Sequence, residues 1–181
     1  MFLLRMLMRK QGGAGMDPLQ VAMTGVRMGE RFLQIGCYDK ALLAGLAAKS
    51  GLSGTSAVAA FDEKDAERAR KIGARVGALI EIYGIDGGRE WPIADEQFDM
   101  IVIDDTQDGF AAVAAPLRQS TLRNALRAVR PGGRIELIAR LKSEAHGYDP
   151  LNELSAAGCK PVRVLAERDR YRFVEGLRAY A

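Results

Sequence analysis

The stretch Arg31-Phe-Leu-Gln-Ile-Gly-Cys-Tyr-Asp-Lys40 decides the fold of this chain. Its apolar first half predicts a short buried strand over Arg31–Ile35, and Gly36 opens the loop that follows. Residues 41–48 are almost entirely apolar and predict a buried helix. A strand that passes through a short loop into a helix is the basic unit of a parallel sheet covered by helices.

The same alternation continues along the chain in both directions. Further strands are predicted over residues 56–61, 78–83, 98–103 and 134–139, and helices over residues 17–29, 63–72, 117–129 and 151–157. Pro131-Gly-Gly133 predicts a tight turn, and residues 162–166 and 171–177 predict an antiparallel hairpin. The fold class is therefore α/β, a doubly wound, Rossmann-like, seven-stranded and mostly parallel sheet with a C-terminal antiparallel hairpin.

Length and composition exclude several classes of protein. The 181 residues suffice for one domain with a sizeable core. Two cysteines and one histidine cannot build a disulfide framework, a cysteine zinc site or a histidine-rich metal cluster, so no metal site is expected. The net charge is only +3 and the basic residues are scattered, so nucleic-acid binding is not expected.

The N-terminus differs from the rest of the chain. Residues 1–10 are apolar apart from Arg5, Arg9 and Lys10, and a glycine-rich linker follows them. Residues 1–16 are therefore predicted to be an amphipathic arm and its linker, and residues 17–181 a separate domain. The arm is too short to span a membrane. It packs on the domain, docks on a partner protein or lies on a membrane surface through residues 1–11, and the sequence leaves these three alternatives open.

Ligands of open α/β sheets bind beyond the carboxyl ends of the strands, near the point where the strand order reverses. The loops that follow Ile35, Phe61 and Tyr83 are therefore the expected binding region. The pair Asp104-Asp105 follows the next strand at the same edge. These two carboxylates are candidate catalytic residues that would orient an amine or a hydroxyl, with a turn or a helix cap as the alternative.

Four segments resemble the class I S-adenosylmethionine-dependent methyltransferases. They are Arg31-Phe-Leu-Gln-Ile-Gly-Cys37, Ala59-Ala-Phe-Asp62, Trp91-Pro-Ile-Ala-Asp-Glu-Gln-Phe-Asp99 and Leu126-Arg-Ala-Val-Arg-Pro-Gly-Gly-Arg-Ile135. The third is similar to the family's short Leu-Pro-Phe loop, and the fourth to its helix, Pro-Gly-Gly and fifth strand. The resemblance runs from about residue 17 to the end and implies a methyltransferase-like domain with S-adenosylmethionine as cofactor.

The resemblance also implies which residues meet the cofactor in the first loop. The family pattern has an acid at position 34 and glycines at positions 36, 38 and 40, and of these only Gly36 is present here. Gln34, Gly36 and Tyr38 would line the methionine part of the cofactor. Tyr38 brings a ring to a place where backbone and cofactor should approach, and Lys40 brings a cation to the start of a helix, where the dipole favours anions. A positive φ at Tyr38 would add about 1 to 2 kcal/mol of strain.

Three more residues are implied as cofactor contacts, each with a structural alternative. Asp62 follows the second strand and would accept hydrogen bonds from the ribose hydroxyls, or else it caps the next helix. Asp86 would bind the adenine amino group, or else it is a turn residue. Trp91 would pack against adenine, or else it covers the core. His146 is interpreted as a surface residue rather than a base.

Two functions are compatible with these observations. One is methyl transfer to a small-molecule or protein acceptor, for which a dedicated base is optional because alignment of nucleophile and methyl dominates. The other is a non-catalytic subunit or scaffold of the same fold that docks on a protein complex or a membrane surface. An oxidoreductase is disfavoured because the first loop has no Gly-x-Gly-x-x-Gly fingerprint. The expected location is cytoplasmic, with peripheral attachment through the arm as a further expectation.

Overall fold

The structure is a computed structural model that describes residues 18–143 and 147–180. Within these residues, seven strands form one sheet and five helices cover it. The strands are β1 Arg31–Ile35, β2 Thr55–Ala60, β3 Ile80–Gly84, β4 Phe98–Asp105, β5 Val129–Arg140, β6 Val162–Arg168 and β7 Tyr171–Leu177. The helices are α1 Leu19–Thr24, α2 Lys40–Ser50, α3 Glu63–Val76, α4 Ala115–Ala128 and α5 Pro150–Ala157.

The strand order is β3-β2-β1-β4-β5-β7-β6, and β7 runs antiparallel to both of its neighbours. The predicted fold class, including the C-terminal hairpin, is confirmed. β1 pairs in parallel with β2 on one side and with β4 on the other, so Ile35 lies between Ala59 and Ile103. The chain reverses its direction of travel across the sheet between β1 and β4. This reversal places the crevice for a ligand at the carboxyl ends of β1 and β4.

Two apolar cores lie on the two faces of the sheet. On one face, side chains from α1, α2 and α3 pack against Phe32, Met100 and Val102. On the other face, α4 and α5 pack against Leu33, Ile101 and Leu137. Adjacent strand residues alternate between the two cores, as the pleat of a strand requires. Burial on both faces explains why the central strands are continuous apolar runs in the sequence.

The first helix is shorter than predicted. The predicted helix ends at Gly29, whereas α1 ends at Thr24 and Gly25 follows it in the left-handed conformation with φ of +60°. A glycine at this position terminates the helix because it adopts this conformation without the steric cost of a Cβ. Residues 25–30 therefore form a loop that leads into β1.

The predicted Pro131-Gly-Gly133 turn lies inside β5 as an irregularity of the strand. The pairing of β4 with β5 shifts between Phe98 and Met100, so that Phe98 pairs with Val129 while Met100 pairs with Arg134. Gly132 has φ of +71°, and its N–H donates to the carbonyl of Arg178. Because the backbone of Arg178 supplies hydrogen-bond partners for Gly132 and Gly133, the segment remains part of the sheet instead of leaving it as a turn.

The predicted arm of residues 1–16 and the predicted surface residue His146 lie outside the described residues. Within the described residues, no helix is long and apolar enough to cross a membrane.

Candidate functional site

A pocket of about 450 Å³ opens at the carboxyl ends of the central strands. Its walls come from the loops after β1, β2, β3 and β4 and from the start of α4. The residues that the argument uses are Gly36, Tyr38, Phe61, Asp62, Asp104 and Gly109. The volume falls within the range of small-molecule sites. The pocket occupies the crevice that the strand order predicts.

The loop after β1 approaches β4 so closely that only glycine fits at position 36. Gly36 has φ of +79°, and a Cβ built on it would lie 3.0 Å from the carbonyl oxygen of Asp104. The side chain of Gln34 stabilises this loop, since its Nε2 donates a hydrogen bond to the Gly36 carbonyl at 3.0 Å. Gln34 is fully buried, and its Oε1 makes no hydrogen bond with any described residue. The amide thus organises the loop from a position where the family pattern has an acid.

The ring of Tyr38 lies between the loops that follow β1 and β4. A Cβ built on Gly109 would lie 2.1 to 2.3 Å from ring carbons and the hydroxyl of Tyr38, so the ring packs directly on the Gly109 backbone. The ring also passes close to Gly36, whose built Cβ would lie 3.2 Å from Tyr38 Cε2. Tyr38 has no positive φ, so it carries none of the backbone strain that a positive φ would add. Lys40 begins α2 as an exposed residue and does not line the pocket.

Asp104 joins the two loops through four hydrogen bonds. Its Oδ2 accepts from the backbone N–H groups of Tyr38 at 2.8 Å and Asp39 at 2.7 Å. Its Oδ1 accepts from the Thr106 N–H at 3.2 Å and the Thr106 hydroxyl at 2.6 Å. Burial nevertheless raises the pKa of the carboxyl above its usual value, although these donors oppose the rise. Asp104 therefore holds the first loop in place and has both oxygens occupied.

Asp105 faces the opposite side of β4 and is also fully buried. Its Oδ1 accepts from the N–H groups of Phe110 at 2.8 Å and Ala111 at 3.0 Å. Its Oδ2 and the nearby Tyr148 hydroxyl make no hydrogen bond of normal geometry with the described residues. Burial raises the pKa of Asp105 to about 6. Neither Asp105 nor Tyr148 lines the pocket. Of the two predicted catalytic acids, only Asp104 therefore lies at the pocket.

Asp62 has a structural role and a position at the pocket. Its Oδ1 accepts from the Asp65 N–H at 2.8 Å and caps α3. Its Oδ2 makes no hydrogen bond with the residues that the structure describes, and the side chain lines the pocket. The capping alternative is therefore observed, and one carboxylate oxygen is left for a ligand.

Phe61, Gly87 and Leu117 form an apolar slot at the side of the pocket. A Cβ built on Gly87 would lie 3.7 Å from Leu117 Cβ and 3.8 Å from Phe61 Cε1. Phe61 and Leu117 are both partly exposed to the pocket, with 37% and 43% of their surfaces accessible. A flat ring could enter between them. The sequence did not single out either side chain, because each is an ordinary apolar residue at the end of an element.

Asp86 forms a turn beside this slot. Its Oδ1 accepts from the Gly88 N–H at 2.9 Å, and its Oδ2 lies 3.5 Å from Arg89 Nε. Asp86 lines a shallow neighbouring cavity that it shares with Phe61 and Asp62, and it does not line the main pocket. A contact between Asp86 and adenine stays a prediction.

Trp91 lies in the core between the sheet and α4. Only 3% of its surface is accessible, and its backbone N–H donates to Asn124 Oδ1 at 3.1 Å. The indole Nε1 has no hydrogen-bond partner among the described residues. The structure places Trp91 in the core, which is the alternative to packing on adenine, and outside the residues that line the pocket.

Arg68 and Asp65 form a polar wall that the sequence did not reveal. Arg68 Nη1 donates to the Cys37 carbonyl at 3.1 Å and to Asp65 Oδ1 at 3.0 Å, which ties α3 to the first loop. Burial and the nearby Asp62 raise the pKa of Asp65 above its usual value. Cys37 itself is fully buried, and burial raises the pKa of its thiol to about 12, so it is no nucleophile at neutral pH.

Residues 17–180 match the model of a protein family described as the ubiE/COQ5 methyltransferase family. No curated protein matches the chain. The chain is also similar to a SAM-dependent methyltransferase from Aquifex aeolicus, with 20% identity and a TM-score of 0.67. That similarity covers 90% of this chain and 95% of the other.

Two further solved structures show the same fold. A predicted O-methyltransferase from Agrobacterium tumefaciens has 18% identity and a TM-score of 0.63, over 90% of this chain and 80% of the other. TrmN from Thermus thermophilus has 22% identity and a TM-score of 0.63, over 89% of this chain and 47% of the other. The chain thus spans about half the length of TrmN and of several other solved relatives. At these identities the similarity establishes the fold and not the acceptor.

Proposed function

Because the chain belongs to the ubiE/COQ5 methyltransferase family, we propose that it binds S-adenosylmethionine and transfers the methyl group to a small-molecule or protein acceptor. One observation carries the proposal. The pocket of about 450 Å³ lies at the carboxyl ends of β1, β2 and β4, and both the Gly36 backbone and Asp62 line it. Family membership supports the use of this cofactor, and the acceptor is proposed only as a class.

The nucleoside half of the cofactor fits the residues present. The apolar slot of Phe61, Gly87 and Leu117 matches the face of a purine ring. Asp62 Oδ2, which caps nothing, can accept hydrogen bonds from neighbouring hydroxyls. Asp65 and Arg68 complete a polar wall beside it. These groups would hold the nucleoside at the ends of β2 and β3.

The amino-acid half fits less well. Gly36 leaves backbone groups open to a close approach, as a charged amino-acid tail requires. The Tyr38 ring, however, lies over Gly109 and fills space between the two loops. Asp104 is not available to the tail, since both of its oxygens accept hydrogen bonds from the protein.

When bound, S-adenosylmethionine supplies a methyl group on a positively charged sulfur. The chain's own task is then to align an acceptor nucleophile with that methyl group and to exclude water, for which no base is required. Phe110 and Val113 contribute apolar side chains to the lining of the pocket. Asp104 acts as a positioning residue, because it fixes the loop that carries Gly36 and Tyr38.

Calorimetric titration with S-adenosylmethionine and S-adenosylhomocysteine tests the proposal. The protein should release or absorb heat on binding, and ligand at 100 times its dissociation constant should add about 2.7 kcal/mol to the free energy of unfolding. Asp62→Asn keeps the helix cap but removes the charge, and should weaken binding about tenfold. Asp169→Asn, at the far edge of the sheet, is the matched control and should leave binding unchanged. Absence of heat and of thermal shift at millimolar ligand would refute cofactor binding.

A second function is favoured by one specific observation, the Tyr38 ring between the glycine-bearing loops. In this alternative, the chain is a non-catalytic subunit that docks on a protein complex or a membrane surface through residues 1–11. Deleting residues 1–11 should then release the protein from its particulate or complex-bound fraction in a cell lysate, while the thermal midpoint of the domain stays the same. Unchanged fractionation counts against this role of the arm.

A further inference from the structure

Tyr38 lines the pocket, and its ring lies between the loops that follow β1 and β4. Its backbone N–H is fixed to Asp104 Oδ2 at 2.8 Å, so the residue itself is anchored. Its side chain is different, because the hydroxyl makes no hydrogen bond with the described residues and the residue is only half-buried. Rotation of the ring about its own side-chain bonds would therefore break apolar packing and no hydrogen bond.

The space under the ring is unusual because two glycines face it. Gly36 and Gly109 present bare backbone from two different loops, and the Tyr38 ring fills the gap between them. If the ring moves away, a channel opens that is lined by peptide groups rather than by apolar side chains. Backbone N–H and C=O groups in such a channel can pair with a carboxylate and an ammonium group. The nucleoside slot of Phe61, Gly87 and Leu117 does not include Tyr38 and stays open in either ring position.

We propose that Tyr38 is a gate on the amino-acid half of this site. With the ring on Gly109, the pocket admits a nucleoside. A ligand that carries an amino-acid tail on its nucleoside binds only after the ring has rotated away. The inference rests on the proposed function, since it assumes that the pocket binds S-adenosyl compounds. It adds that the chain discriminates between nucleosides with and without this tail.

The test compares adenosine with S-adenosylhomocysteine by calorimetry on the full chain. Tyr38→Ala removes the ring and should tighten S-adenosylhomocysteine about tenfold, which corresponds to about 1.4 kcal/mol, while the affinity for adenosine stays the same. Tyr38→Phe keeps the ring and is the matched control, so both affinities should remain those of the unaltered protein.

A second variant moves the ring without removing it. Gly109→Ala places a methyl group where the ring now lies, and Gly109 has no positive φ that alanine would resist. It should therefore tighten S-adenosylhomocysteine in the presence of Tyr38, whereas in the Tyr38→Ala background it should weaken S-adenosylhomocysteine, because there the methyl group only narrows the opened channel. This non-additivity is a readout that general loosening of the loop would not produce. Circular dichroism confirms that each variant is folded.

The possible outcomes separate the gate from the proposed function. Selective tightening of S-adenosylhomocysteine by both variants supports the gate. Equal affinity of S-adenosylhomocysteine for the unaltered protein and for Tyr38→Ala overturns the gate but leaves the proposed function standing. If neither adenosine nor S-adenosylhomocysteine binds to any form at millimolar concentration, the gate and the cofactor site are both overturned.

Discussion

Asp104 stabilises the site because a single buried carboxylate accepts four hydrogen bonds. Two of them come from Tyr38 and Asp39, which lie more than 60 residues away in the chain. A buried N–H group that is left without an acceptor destabilises the fold by more free energy than a satisfied hydrogen bond contributes to it. The carboxylate is therefore a structural part of the first loop, in addition to forming a wall of the pocket.

Asp104→Asn is expected to lower the free energy of unfolding by about 2 to 4 kcal/mol. An amide has one acceptor oxygen, so its NH₂ group would face backbone N–H donors on one side and leave them unpaired. Urea unfolding measures the change. Asp86→Asn is the control, because this exposed turn residue tolerates asparagine and should change stability by less than about 0.5 kcal/mol. Equal changes in the two variants would mean that the four hydrogen bonds do not stabilise the loop.

Glu136 is a buried acid with no hydrogen-bond partner among the described residues. It lies in the middle of β5, fully buried, opposite Val102 on one side and Glu175 on the other. Burial raises its pKa to about 8, and Glu175 adds to the rise while Arg134 opposes it. The folded state therefore holds a proton on Glu136 at neutral pH that the unfolded state releases.

Glu136→Gln is expected to stabilise the protein increasingly as pH rises from 5 to 9. The protonated acid contributes its full stability below the unfolded pKa, and this contribution is lost as pH rises through about 8. Glutamine does not titrate, so the difference in the free energy of unfolding between the variant and the unaltered protein should grow by an amount on the order of 4 kcal/mol over this range. Urea unfolding at pH 5, 7 and 9 measures it. Glu81→Gln on the exposed strand β3 is the charge-matched control, and a difference independent of pH would contradict the burial of Glu136.

At the level of elements, a buried ion pair links α4 and α5. Arg118 and Glu153 form an ion pair of 2.6 Å, and both side chains are about 10% accessible. Arg118 also donates to the Ala111 carbonyl at 3.1 Å, and its guanidinium lies 5.1 Å from the centre of the Tyr148 ring. The pair thus connects both helices to the loop after β4.

Glu153→Gln is expected to destabilise the protein by about 3 kcal/mol, because it leaves the Arg118 charge buried without its counter-ion. Thermal or urea unfolding measures the loss. The control is Glu96→Gln, which breaks a pair of 3.0 Å with Arg178 at the surface and should cost less than about 1 kcal/mol. Similar losses of stability in the two variants would show that an unpaired charge between α4 and α5 is no more destabilising than one at the surface.

Element boundaries show what local sequence can and cannot predict. The strands and most helices begin and end within a few residues of their predicted positions, because apolar periodicity is a local property. The exceptions are α1, which ends at Thr24 just before Gly25, and Pro131-Gly-Gly133, which stays in β5. In both cases glycines predict a break in the element. After α1, Gly25 and Gly29 are both candidates, and the helix ends before the first of them. At Pro131-Gly-Gly133, backbone hydrogen bonds with the distant Arg178 keep the segment in the sheet.

At the scale of the whole molecule, the sheet should be most stable at its centre. β1 and β4 are paired on both sides and nearly all of their residues are buried, whereas β3 and β6 are edge strands with several exposed residues. Amide hydrogen exchange should therefore be slowest in β1 and β4 and faster in β3 and β6. Exchange rates measured by mass spectrometry test this order. Faster exchange in β1 than in β3 would mean that the edge is covered in solution.

The sequence by itself determined the order of strands and helices along the chain, the mostly parallel sheet with its final hairpin, and the edge of the sheet where the pocket lies. These follow from periodicity, from turn residues and from the rule that ligands meet the carboxyl ends of strands. Only the tertiary structure decided that Tyr38 rests on Gly109, that Asp104 joins two loops and that Trp91 belongs to the core. These contacts join residues far apart in the chain, and no local pattern records which side chain fills a space that two distant loops create.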